Sequence, residues 1–100
     1  MPRNQSIAVP PRGQFVELTN ANITALTFLC EGPSAVRILA QEGATAPEAG
    51  DVESTIRFEL GFGAQNVELA DLFPGVADAN RVFATSDDAT RGTRVFVSHA

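Results

Sequence analysis

The residues able to carry chemistry in this chain are few, and they gather near its end. His99 is the single histidine, and Ser86, Asp87, Asp88 and Ser98 precede it. A Ser–His–Asp arrangement would use His99 as base, Asp87 or Asp88 as its orienter, and Ser86 or Ser98 as nucleophile. A histidine so near the terminus lacks the flanking structure that fixes a tautomer, so it is read as a surface residue at a strand end. Zinc needs several His and Cys ligands, and the sequence holds one of each. Asp87-Asp88 near Thr90 lacks the alternating acidic ligands, central glycine and distal glutamate of a calcium loop, and reads as a solvated hairpin tip. The carboxylate pairs Glu53/Glu59 and Glu68/Asp71 are expected to face solvent. The acidic, glycine-containing segment 42–51 lacks the lysine and following helix of a phosphate cradle. No catalytic residue, cofactor or metal is predicted, and the chain is read as non-enzymatic.

Cys30 is the only cysteine, so no intrachain disulfide can form. Phe28 and Leu29 beside it indicate a strand, where a lone cysteine behaves as a small buried hydrophobe. All seven basic residues are arginine, against twelve acidic ones, and the net charge is -5. That balance argues against binding nucleic acid, which needs a basic stripe along its phosphates. The arginine bias has two readings: a GC-rich coding sequence, or an interface built on bidentate Arg–carboxylate pairs. No long apolar run follows the first residues, so neither a signal peptide nor a membrane span is expected, and synthesis in a cytoplasm is.

These residues must be held by short strands. One hundred residues, 44% hydrophobic and 19% charged, suit a single globular core. Residues 1–13 are read as an extended N-terminal arm, because Pro2, Pro10, Pro11 and Gly13 oppose regular structure. Two readings of it stand side by side. One is a terminus with a short edge strand. The other is an arm that reaches a neighbouring subunit, with Ile7 and Val9 as anchors and Arg3, Pro10, Pro11 and Arg12 completing the contact. In the second case, deletion of the arm is expected to leave a folded domain that no longer assembles.

Residues 14–100 are read as one β domain. Strands are expected over 15–19, 23–30, 35–40, 54–60, 81–85 and 93–98, from β-branched and aromatic runs bounded by Gly, Pro, Asn and Asp. Ile56, Phe58 and Leu60 are expected to point inward, with Arg57 and Glu59 outward. Strands 23–30 and 35–40 are expected to form an antiparallel hairpin across Glu31-Gly32-Pro33-Ser34, as are 81–85 and 93–98 across a polar loop. Gly61-Phe62-Gly63 is a turn whose phenylalanine either folds over the core or stands exposed. Between these, Val67, Leu69, Leu72 and Phe73 form an apolar plug with one short helical turn near residues 69–73, capped by Asp71 and stopped by Pro74-Gly75. The fold class is all-β: a small antiparallel sandwich or flattened barrel of seven to eight strands.

The run Glu68-Leu69-Ala70-Asp71-Leu72-Phe73-Pro74-Gly75, the segment Gly43-Ala44-Thr45-Ala46-Pro47 and the ending Val95-Phe96-Val97-Ser98-His99-Ala100 resemble small proteins of tailed-bacteriophage structural modules. The resemblance covers residues 14–100. Such proteins are similar to capsid decoration (cement) proteins, often β-sandwiches or β-tulips in the jelly-roll manner. It implies a virion structural protein on the capsid exterior, made in a bacterial host cytoplasm. It also implies a major capsid protein as partner, self-association as a homotrimer, and capsid stabilisation through many repeated contacts. Free sheet edges at Ile7-Ala8-Val9 or Val95-Phe96-Val97 would suit strand addition to a neighbour. The alternatives are a head–tail connector or head-fibre base protein, and a free-standing bacterial ligand-binding β module.

Overall fold

A computed structural model describes residues 3–99. Eight strands follow in order: β1 (Arg3–Val9), β2 (Val16–Glu17), β3 (Ala25–Gly32), β4 (Val36–Gln41), β5 (Ile56–Phe58), β6 (Gly63–Glu68), β7 (Arg81–Ser86) and β8 (Thr93–His99). One helical turn, α1 (Leu69–Leu72), follows β6, and a 3₁₀ turn spans Ala49–Ser54. The strands make two four-stranded antiparallel sheets, ordered β1-β8-β3-β6 and β2-β7-β4-β5. The chain is therefore all-β, as its alternation and turn residues require.

The alternation sorts each strand's residues between a shared interior and an outer face. In β3, Leu26, Phe28 and Cys30 are buried; in β4, Val36, Ile38 and Ala40; in β8, Val95 and Val97. Phe28 of the first sheet meets Phe58 of the second edge to face, with ring centroids 4.9 Å apart and planes at 89°. This geometry sets the positive ring edge on the negative face and ties the two sheets across the core. Cys30 is buried as expected, and its thiol donates to the Ser34 carbonyl at 3.3 Å.

Both expected hairpins are corrected. β3 and β4 lie in different sheets, and so do β7 and β8. Each pair keeps the predicted inward pattern, but the connection carries the chain from one layer to the other. At the first crossing Gly32 adopts a φ of +98°, which a side chain would resist, and the Leu60 side chain packs against it. At these two connections sequence neighbours face each other across the core, and most pairing is long-range. β4 runs beside β7, and β3 beside β8, while among the described residues only β4 and β5 pair as consecutive strands.

The strand expected over 54–60 is shortened. β5 ends at Phe58; Phe58 is inward, whereas Ile56 and Leu60 are exposed. Leu60 lies in the crossover to β6, where Gly61 donates to the Cys30 carbonyl at 2.8 Å and the Cys30 amide donates to the Phe62 carbonyl at 2.9 Å.

The plug is present with one correction. Leu69 and Phe73 are buried, and the Leu69 amide donates to the Thr24 carbonyl at 2.9 Å. The N-cap is Glu68, extended at φ −75° and ψ 139°, not Asp71, which sits inside the turn. A four-residue helix has no room for a cap in its third position.

Residues 3–9, read from sequence as part of an arm, form the edge strand β1. It pairs residue for residue with β8, from Arg3 opposite His99 to Val9 opposite Thr93. The prolines bracket this strand rather than interrupt it, so the ladder loses no donor within it.

Candidate interaction surface

The six residues expected to bind a partner have defined places in the chain's own fold. Ile7 and Val9 point inward from β1 and are 9% and 3% exposed. The Arg3 guanidinium reaches across the sandwich to donate to the Leu18 carbonyl at 3.1 Å. The Pro10 carbonyl accepts from the Ser86 amide at 2.9 Å, and the Pro11 carbonyl from the Thr85 hydroxyl at 3.2 Å. The Arg12 amide donates to the Asp88 carbonyl at 3.0 Å, leaving its side chain exposed. Ile7 and Val9, expected from sequence to anchor an arm on a neighbouring subunit, are buried in the core of their own sandwich.

The candidate triad is not assembled: Ser98 lines the same cleft as His99, but Asp87 and Asp88 lie far from it. His99 and the loop after β7 lie at opposite ends of β8, about 20 Å apart at the rise of a seven-residue strand. His99 is buried rather than exposed, because it continues the inward row of Val95 and Val97. It borders a polar cleft of about 300 Å³ lined by Asn22, Thr24, Asn66 and Ser98 among others. Ser86 is buried, and its hydroxyl accepts from the Asp88 amide at 3.1 Å. Among the described residues no group of three His, Cys, Asp or Glu side chains is placed to hold one metal ion.

The acidic pair instead shapes the molecule. Asp87 bridges two strands, accepting from Arg57 Nε at 2.8 Å and Arg37 Nε at 2.6 Å. Arg37 and Arg57 stand directly opposite each other on β4 and β5, so the carboxylate relieves a like-charge pair. Hydrogen bonding from Arg57 holds the Asp87 carboxyl below the usual carboxylate range; burial pushes it up, and the Arg37 hydrogen bond adds to the lowering. Arg57 also pairs with Glu59. Asp88 is held low chiefly by the Thr90 amide, which donates to it at 2.8 Å. Burial pushes the Cys30 thiol up, away from thiolate reactivity. Arg81 pairs with Glu17 at 2.7 Å. The Arg–carboxylate pairs anticipated for an interface therefore occur within the chain.

Of the four exposed large apolar side chains, Ile56 stands on β5 of the second sheet, and the other three come from β3 and the β5–β6 crossover. Leu29 is 41% exposed on the outer face of β3, directly opposite Phe96 of β8 on one side and Gly63 of β6 on the other. Phe62, next to Gly63, is 64% exposed, and Leu60 is 48% exposed. A shallow depression of about 290 Å³ opens beside them, lined by Thr27, Phe28, Leu29, Gly63, Ala64 and Gln65. It arises where the β3–β6 register shifts between Leu26 and Phe28. Of the two positions left open for Phe62, the structure takes the exposed one. No signal in the strand pattern marks Leu29, since only the register shows that Phe96 and Gly63 flank it.

No protein-family model matches the chain, and neither curated proteins nor solved structures give a match.

Proposed function

We propose that the chain is a non-enzymatic structural subunit that docks on a larger assembly through the exposed apolar end of its first sheet. The form of assembly this reading takes is a phage capsid shell, decorated on its outside. The observation that carries it is the exposure of Leu29, Leu60 and Phe62, three large apolar side chains of β3 and the β5–β6 crossover, with Leu29 lining a shallow depression beside Gly63. Grouped apolar exposure marks contact surfaces, because leaving it in water costs free energy that docking recovers. A small patch suffices on a shell, where many copies multiply a weak contact. The net charge of -5 fits a position away from packaged DNA.

Quantitative mass spectrometry of particles purified from the source culture tests this reading. Hundreds of copies per particle are expected. A handful would favour the connector or fibre-base alternative, and none would overturn the virion reading.

A further inference from the structure

The two sheets have four edges, and three of them are blunted. β2 has two residues, and β5 has three, with Arg57 at its centre. β6 is interrupted by the left-handed Asn66 (φ +47°) and by the register shift against β3. Short strands, edge charges and bulges are the devices that stop edges pairing with other chains.

β1 has none of them past its first position, where its one charge, Arg3, stands. Its seven residues pair with β8 without a shift, and no charged residue or proline lies between Asn4 and Val9. Among the described residues β8 is the only strand beside it, so its other side presents a regular, uncharged row of backbone donors and acceptors.

We infer that this edge pairs antiparallel with the β1 edge of a second copy, across a two-fold axis at Ser6. An axis at the strand's midpoint overlaps all seven residues. It sets Arg3 against Val9 of the second copy, Asn4 against Ala8, and Gln5 against Ile7, so no like charges are opposed. Each outward residue faces an outward residue, and the first sheets of the two copies become one eight-stranded sheet. The same patch serves both copies, which closes the assembly as a dimer. This two-fold contact differs from the trimer implied by the resemblance, and it does not depend on the shell reading.

Cysteine cross-linking of the purified full chain tests it. Directly opposed residues of an antiparallel pair have Cα atoms about 4.5–5.5 Å apart, within the span of a disulfide. Under mild oxidation Ser6→Cys is expected to form covalent dimers far faster than Ala8→Cys or Thr90→Cys, while mixed Asn4→Cys and Ala8→Cys chains cross-link to each other. The parent chain, with only buried Cys30, is the blank. Equal rates for Ser6→Cys and Thr90→Cys would overturn the inference. Sedimentation of the unmodified chain supplies the second reading. A concentration-dependent dimer is expected, weakened about tenfold in Ser6→Glu, which sets like charges across the axis beside the Glu31 carboxylates that the Ser6 hydroxyls contact at 2.7 Å. A monomer at every concentration would overturn the second copy as occupant of this edge, whatever the copy count on particles.

Discussion

Asp87 does more for this structure than its place in a polar loop suggests. It neutralises Arg37 and Arg57, two cations that the β4–β5 register sets face to face. Asp87→Asn should destabilise the protein at neutral pH by about 1–2 kcal/mol, since the carboxylate between the two guanidinium groups is lost and only Arg57 keeps another, Glu59. Because the folded pKa is depressed, this contribution is present above the unfolded value near 3.9 and disappears as pH falls through the lower folded value. Urea denaturation at a series of pH values should show parent and variant curves apart at pH 7 and converging as pH falls through the depressed folded value. A constant gap would contradict the bridge. Gly63 and Gly75 offer a second comparison. A methyl group at Gly63 would enter the Phe28 carbonyl, whereas nothing lies near one at Gly75. Gly63→Ala should cost about 3 kcal/mol by forcing the backbones of β3 and β6 apart. Gly75→Ala should stay within about 0.5 kcal/mol, both measured by chemical denaturation.

At the scale of elements, the N-terminal strand separates two accounts of the chain. An arm could be removed without loss of the domain, but β1 supplies a full ladder to β8 and buries Ile7 and Val9. Deleting residues 1–9 should remove about 3–5 kcal/mol from apolar burial alone. The truncated chain is therefore expected to unfold at a markedly lower temperature, read by circular dichroism, rather than remain folded and merely fail to assemble. Inward and outward residues were legible in the sequence because alternation reports which face of a strand is buried: Val36, Ile38 and Ala40 against Arg37, for instance. Which strand lies beside which was not legible. A strand facing its sequence neighbour across a core and one hydrogen-bonded to it show the same period of two. That degeneracy explains why β3–β4 and β7–β8 read as hairpins. The prolines misled differently, since Pro10 and Pro11 end β1 without entering it. The candidate surface was least legible, because Leu29 and Phe96 meet only through a pairing of residues 67 positions apart.

For the whole molecule, the topology makes nearly every strand pair distant in sequence, with β1 closed against β8 at the other end of the chain. Loop closure must precede most of the stabilising contacts, so refolding after stopped-flow dilution should fall in the millisecond-to-second range typical of β-sandwiches. Microsecond refolding would contradict the long-range pairing. The same topology brings Leu29, Leu60 and Phe62 together from β3 and the β5–β6 crossover, leaving an apolar surface that the fold itself does not cover.

Retention on particles of a Leu29→Ser/Phe62→Ser double variant, relative to the parent chain at equal expression, tests this docking surface most directly. Phe62 is mostly in water and Leu29 stands half-buried on the outer face of β3, so the fold should persist with only a modest loss of stability. The account predicts that the variant remains folded and soluble but falls from the particles by tenfold or more, as expected for losing two apolar anchors of about 1 kcal/mol each in every copy. A folded variant retained at the parent's copy number would contradict it.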